Sequence, residues 1–257
     1  MANGLIHNAV PHQVLEEIKK HVREKSYGSE RAWRSASKSE DTITGHWGGQ
    51  IMMDWSEPMI VDGYSWRFRV DYSKFSSSTE EQPTGSDGIF QIEVERFDVA
   101  VTPIDESRVQ PEIIERVDAF MKGILFQSKK VDNTKRKEMV KQLKDIEKLT
   151  PGEGAFFEYG PDLFRAATAK SVIASKGFTS NMNDSEFARL GDFLADDFLD
   201  CRQGVEGMYF DFNNNVLYFP KENEGIRRIQ RQMQHGFRVQ VKAFRLVEFN
   251  TRYKRFA

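Results

Sequence analysis

The chain has 257 residues, with 37 Lys and Arg against 39 Asp and Glu, so its formal charge of −2 gives no polyelectrolyte excess to draw it to nucleic acid or membrane. At 39% apolar and 12% aromatic, with 20 Phe, it has the material for a packed core, which excludes intrinsic disorder, and its length lies between one large domain and two small ones. One cysteine, Cys201, excludes a disulfide framework and a cysteine-rich zinc site, and five scattered histidines (His7, His12, His21, His46, His235) leave no paired metal-ligand spacing.

No apolar run reaches membrane-spanning length, and residues 1–10 lack the charged and apolar regions of a signal peptide, so a cytoplasmic location and no membrane partner are expected. Residues 11–25 place Leu15, Ile18 and Val22 on one face of an amphipathic helix. A second helix is expected over 37–53, although glycines at 45, 48 and 49 oppose it at about 1 kcal/mol each and need another justification. From Ser65 the period changes to two: Trp66, Phe68, Val70 and Tyr72 alternate with Arg67, Arg69 and Asp71, which describes a half-buried strand.

A loop over 76–86 leads to a strand over 87–95, with Phe90, Ile92 and Val94 on one face. Residues 111–121 read as helix, 122–130 as a short apolar strand, 134–149 as a helix with Met139, Leu143 and Ile146 inward, and 155–159 as a strand. Helices are expected at 162–175 and 184–200, the latter carrying Phe187, Leu190, Leu194 and Phe198. Asn213 to Asn215 make a hairpin turn between 208–212 and 216–219. From Lys221 onward there are ten Lys or Arg against three Glu, interleaved with Phe237, Phe244, Phe249, Tyr253 and Phe256. That pattern suits phosphate contacts and base stacking, and equally an amphipathic strand with Phe237, Val239 and Val241 inward. The expected architecture is α/β, a mixed central sheet flanked by helices over 1–200, with a β-rich basic portion over 201–257 that completes the sheet or forms a small lobe.

The informative feature is an order of polar residues that a core does not require. Asp87 opens a strand, and Gln127 and Lys129, two apart on the later strand, share one face of the sheet. Upstream, Glu40 and Asp41 stand on the glycine-containing helix. Singly, an Asp before a strand is a turn residue and a lysine pair at a strand end is a solubilising exit. Gln127 is different, because a glutamine on an apolar strand needs a buried partner.

In this order Ser39-Glu40-Asp41-Thr42-Ile43-Thr44-Gly45, Gly85-Ser86-Asp87-Gly88-Ile89 and Leu125-Phe126-Gln127-Ser128-Lys129-Lys130 resemble the PD-(D/E)XK, or restriction-endonuclease-like, nuclease superfamily in its QxK variant. The resemblance runs from about Glu40 to Ala167. It implies Mg²⁺ or Mn²⁺ held by Asp87, Glu40 and Gln127, with Lys129 positioning the attacking water and offsetting phosphate charge. Glu40 is favoured over Asp41, since neighbours on a helix do not both face inward, and Asp41 is expected to face solvent. Glu93 shares the parity of Asp87 and is the remaining alternative ligand, and Gln142 is a further polar contact on the following helix. Gln127 replaces the commoner glutamate and brings no charge, and a helix at 111–121 would be an insertion.

The pattern is also similar to nuclease effectors of bacterial antiphage defence systems, so a protein partner or homo-oligomer regulating a DNA endonuclease is expected. A non-catalytic nucleic-acid-binding or assembly subunit and an RNA-directed nuclease remain open on the same residues. No glycine-rich phosphate loop or dinucleotide fingerprint occurs, which counts against a small-molecule enzyme of that kind.

Overall fold

A computed structural model describes residues 5–31, 33, 39–75, 85–105, 108–131, 133–221, 225–230 and 233–247. Helices α1 (Leu5–Ala9) and α2 (His12–Glu30) come first, and α2 buries Val14, Leu15, Ile18 and Val22 on one stripe as its period requires. Helix α3 (Glu40–Ile51) begins at Ser39, whose Oγ accepts from Thr42 N at 3.1 Å. Glu40 and Asp41 occupy its first turn, where the helix dipole favours negative charge.

The glycines of α3 have a packing reason. A Cβ at Gly48 would lie 2.5 Å from the Tyr72 ring, and one at Gly45 would lie 3.4 Å from the Tyr72 hydroxyl. The helix therefore presents a bare backbone groove to the Tyr72 side chain, and one turn of it rests directly on the sheet. Trp47 then enters the aromatic core, 4.2 Å from the Phe237 ring centroid and 6.0 Å from that of Phe157.

The large sheet is built from β1 (Met59–Val61), β2 (Tyr64–Lys74), β3 (Gly88–Asp105), β4 (Arg108–Lys130), β5 (Ala155–Tyr159), β6 (Phe164–Thr168), β7 (Ala188–Arg189), β8 (Val205–Glu206) and β12 (His235–Leu246). Its order is β1-β2-β12-β3-β4-β5-β6-β7, with β8 pairing to β4. Two pairs are parallel, β12 with β3 and β4 with β5, and the rest are antiparallel. The sheet is therefore mixed, as expected. A separate three-stranded sheet comprises β9 (Tyr209–Asp211), β10 (Val216–Lys221) and β11 (Gly225–Gln230).

Both faces of the large sheet are covered. Ile124 and Phe126 of β4 join the core beneath α2 and α3, together with Phe90, Phe157 and Phe237. Leu125 joins the other core with Met139, Leu143 and Ile146 of α4 (Arg136–Leu149), Val172 of α5 (Ala169–Ala174), and Phe210 and Leu217 of the small sheet. By strand alternation Gln127 and Lys129 lie on the Leu125 face and Ser128 on the α3 face. Among the described residues no helix is long and apolar enough to cross a membrane.

Three expected elements are corrected. Residues 111–121 are strand, part of a β3–β4 hairpin whose paired register runs from Gly88 opposite Phe126 to Asp105 opposite Arg108. Their apolar side chains Ile113, Ile114 and Val117 are exposed, so no core face drives a helix, and cross-strand pairing decides the backbone. The expected helix over 162–175 is split into β6 and the short α5, because Phe164 to Thr168 pair with β5. Within 184–200, a single 3-10 turn at Asp184–Glu186 comes first, Ala188 and Arg189 then pair with β6, and continuous helix starts at α6 (Leu190–Asp192), continuing as a wider helical coil over Phe193–Phe198. The basic C-terminal stretch supplies β12, with Phe237, Val239 and Val241 fully buried, so the amphipathic-strand reading holds for that segment. Phe249, Tyr253 and Phe256 lie outside the described residues.

The neighbouring glycines of α3 predict opposite effects. Gly48→Ala must push the Tyr72 ring aside and is expected to lower stability by about 1–3 kcal/mol. Gly49→Ala, where an added Cβ meets nothing within 4 Å, is expected to raise it by roughly 0.5–1 kcal/mol. Urea denaturation of the two variants checks the pair of signs.

His21 gives a pH prediction. Its Nε2 lies 2.8 Å from the carbonyl of Ile51 at the end of α3, and burial, the largest effect, pulls its pKa below the usual 6.5. The unfolded chain therefore binds the proton more tightly, and stability falls as pH is lowered below 6.5 toward the depressed folded value. His235, also lowered by burial, adds a slope of the same sign. Thermal melts between pH 7.5 and 5 are expected to show a shallower decline for His21→Gln than for the unaltered chain, with a residual slope from His235.

Candidate functional site

The register that sets Gly88 opposite Phe126 brings the start of β3 against the end of β4. Asp87 N donates to Phe126 O at 2.9 Å, and the Asp87 carbonyl accepts from the main-chain nitrogens of Gln234 at 3.0 Å and His235 at 3.1 Å. Three strands, β3, β4 and β12, thus pin one residue. Gly85, with φ +65, leads into it so closely against the Gln142 backbone that any Cβ there would collide. That contact is how Gln142 meets the site: through its main chain, with its side-chain Oε1 buried and unpartnered.

The Asp87 carboxylate is held on one side. Its Oδ2 accepts from Gln127 Nε2 at 2.7 Å, from Ser128 N at 2.8 Å and from Ser128 Oγ at 2.7 Å. Its Oδ1 accepts nothing among the described residues. The Gln127 amide orientation follows, since the carboxylate and the Ser128 carbonyl, 3.4 Å from Nε2, are both acceptors and select the NH₂. The Gln127 carbonyl oxygen is then left buried with no hydrogen-bond donor.

Behind the acid runs a hydroxyl relay. Thr44 Oγ1 donates to the Glu40 carbonyl at 2.9 Å, so Tyr159 OH, 2.9 Å away, donates to Thr44, and Ser128 Oγ lies 3.5 Å beyond. Burial raises the Tyr159 phenol well above its ordinary pKa, so it remains a donor at neutral pH.

Lys129 follows two residues after Gln127 on the same face. It makes no ion pair or hydrogen bond among the described residues, because Glu158, opposite it in register, is taken by Arg165 at 2.6 Å. Lys129 and Glu40 line a common cleft of about 340 Å³ with Lys130, Asn133, Thr134, Lys135 and Glu138. Among the described residues Glu40 likewise has no side-chain partner, and it makes no hydrogen bond to Asp87.

Asp41 keeps a largely exposed side chain, as expected, but it is also partnered. Lys74 Nζ binds its Oδ2 at 2.6 Å, and buried His235 brings Nε2 to 3.2 Å from Oδ1, out of line for a hydrogen bond. His235 Nδ1 meets Tyr72 OH at 2.9 Å. Burial and then Asp41 raise the Tyr72 phenol pKa, so Tyr72 is the donor, Nδ1 the acceptor, and the ring proton sits at Nε2 facing Asp41. Burial lowers the His235 pKa, with Asp41 the largest opposing effect.

Glu93 is apart from the site. It lies six residues along β3, roughly 20 Å from Asp87 by strand rise, and its carboxylate accepts from Gln91 at 2.7 Å and Gln240 at 3.3 Å. The structure thus brings Asp87 and Gln127 into contact and sets Lys129 and Glu40 in one cleft. It adds Ser128, Thr44, Tyr159, Tyr72, Lys74 and His235, none of which the sequence singled out for the site. Ser128 was the detectable one, as the residue between Gln127 and Lys129.

Among the described residues no three His, Cys, Asp or Glu side chains converge on a metal position. No family model matches the chain, and no curated protein or solved structure matches it either.

Proposed function

We propose that the chain is a metal-dependent endonuclease that hydrolyses phosphodiester bonds in DNA. The observation that carries the reading is the Gln127 carbonyl oxygen, buried without a donor among the described residues on a side chain whose amide holds the Asp87 carboxylate, the Oδ1 of which is open. A buried acceptor without a donor costs about 1–3 kcal/mol and is accounted for if a cation or a cation-bound water meets it. Two such hard oxygen atoms fit Mg²⁺ or Mn²⁺, which bind through one or two carboxylates and complete their shell with water and substrate phosphate. When bound, such an ion would polarise the phosphoryl group and acidify a water.

The protein's own groups supply the rest. The Gln127 amide and Ser128 fix the Asp87 carboxylate in one orientation, so its free oxygen is held in place before substrate arrives. Lys129, without a partner among the described residues, offers its ammonium to the charge that grows on the phosphoryl oxygens and can orient the attacking water. Glu40, in the same cleft, is a second carboxylate for the cation or for the proton released by the water. Nothing in this arrangement reads a base, so target choice falls to a protein partner or to self-assembly, as in a defence effector held silent until triggered.

A second reading has one observation in its favour. Three donors on Asp87 Oδ2 give that carboxylate a full structural role, as in a binding subunit that retains a nuclease-like site without chemistry.

Cleavage of plasmid and linear DNA, with an RNA substrate in parallel, separates these readings when run with Mg²⁺, Mn²⁺ or EDTA. Asp87→Asn and Lys129→Ala are each expected to reduce metal-dependent cleavage on the order of 1,000-fold while the fold is retained. Cleavage that persists in both variants overturns the assignment, and nucleic-acid binding without cleavage in any metal, unaffected by Asp87→Asn, favours the binding subunit.

Gln127→Glu tests the metal position without relying on activity. It replaces a donor to Asp87 with a second negative charge, so the metal-free protein is expected to melt lower. Mn²⁺ is expected to stabilise this variant more than the unaltered chain, with about tenfold tighter binding by calorimetry. Equal Mn²⁺ affinity in the two proteins would place the cation elsewhere.

A further inference from the structure

Beyond Lys129 the cleft does not end. A second cavity, of about 320 Å³, opens on the far side of the β4–α4 connection and shares Asn133 and Thr134 with the first. The two differ in chemistry. Glu40 and Glu138 line the first, whereas no acidic side chain lines the second, whose polar groups are Arg136, Arg165, Asn133, Thr134, Thr179 and Ser180.

The two guanidiniums are held in fixed positions. Arg165 stacks 3.9 Å over the Phe187 ring and is anchored from behind by Glu158, a buried carboxylate that accepts from Nε and Nη2 at 2.6 Å. Arg136 lies 4.2 Å over Phe178 and has no carboxylate partner among the described residues, so its charge is uncompensated. Three hydroxyls and a carboxamide ring the same space. Arginines aligned by aromatic rings beside hydroxyl donors, with no acid to repel an anion, are a constellation for a phosphate oxygen. The volume is at the lower end of ligand pockets, enough for a phosphate and its sugar.

We propose that this second cavity is a phosphate subsite, taking a phosphate group of the nucleic-acid strand next to the one presented to Lys129. This rests on the nuclease reading for its place along the strand, while the phosphate chemistry stands on Arg136 and Arg165 alone. The subsite holds the strand in register, and the first cleft, where Glu40 and Glu138 stand among three lysines, receives the bond to be cut.

The test uses the full chain in EDTA, where no cleavage intervenes, and reads fluorescence anisotropy of a labelled single-stranded DNA of about 12 nucleotides. Arg136→Gln is expected to weaken binding about 10-fold and to lower the salt slope by about one. Lys148→Gln removes the same charge from the opposite end of α4 and is expected to stay within about twofold. Arg165→Gln would strand Glu158, so Thr179→Val is the second variant, expected to weaken binding about threefold at the same stability. A loss confined to 5′-phosphorylated DNA assigns a terminal phosphate, and an equal loss with a 5′-hydroxyl end assigns an internal phosphodiester, each upholding the subsite. No loss in Arg136→Gln, or the same loss in Lys148→Gln, overturns it. If Arg136→Gln weakens binding yet no metal supports cleavage, the subsite stands and the binding-subunit reading is favoured over the nuclease.

Discussion

One carboxylate oxygen carries the organisation of the site. Asp87 Oδ2 gathers the side chain of Gln127 and both donors of Ser128, and hydrogen bonds to a charged acceptor contribute about 1.5–3 kcal/mol each. Together with the main-chain bonds from β12 and β4, they lock the start of β3 to the end of β4. The same lock has a cost, since turning the Gln127 NH₂ toward Asp87 turns its carbonyl oxygen away from every donor. It is one of several buried side-chain atoms without a partner among the described residues, Gln142 Oε1 being another near the site, and it is set apart by belonging to a side chain bound to Asp87.

The second constraint is the close seat of α3 on Tyr72. Because Gly45 and Gly48 admit the ring, the first turn of the helix reaches the strand ends, and its two adjacent acids meet different surroundings. Asp41 goes to exposed Lys74 and buried His235, a polar set that ties the helix to β2 and β12. Glu40 goes to the cleft with Lys129. Helical periodicity dictates this divergence: residues one apart are turned about 100° from each other, so one acid is structural and the other has no partner among the described residues.

Much of this was legible in the sequence where the period was unambiguous. Trp66, Phe68 and Val70 alternate and are buried as a strand requires, and the apolar stripes of α2 and α4 fall where a 3.6 period puts them. The shared face of Gln127 and Lys129 followed from parity. Residues 111–121 failed because Ile113, Val117 and Phe120 mimic helical spacing, while the partner that holds them as strand, β3, lies across a long hairpin. Leu190, Leu194 and Phe198 did mark a helix, but Phe187 belongs to a different local structure before it. The Tyr72–His235 contact spans 163 residues of sequence, and nothing local to either residue announces it. Glycines at 45 and 48 were visible as anomalies, and only the ring opposite them supplied the reason.

The position of β12 bears on how such a chain is made. A strand near residue 240 lies between β2 and β3, parallel to β3, and its first residues donate to the Asp87 carbonyl. During synthesis the earlier strands emerge from the ribosome with a gap at the middle of their sheet, and loop closure over that distance makes the last insertion slow. The acid and its surroundings are therefore completed after every other strand of the sheet, so a product truncated before residue 234 would lack both main-chain donors to the Asp87 carbonyl.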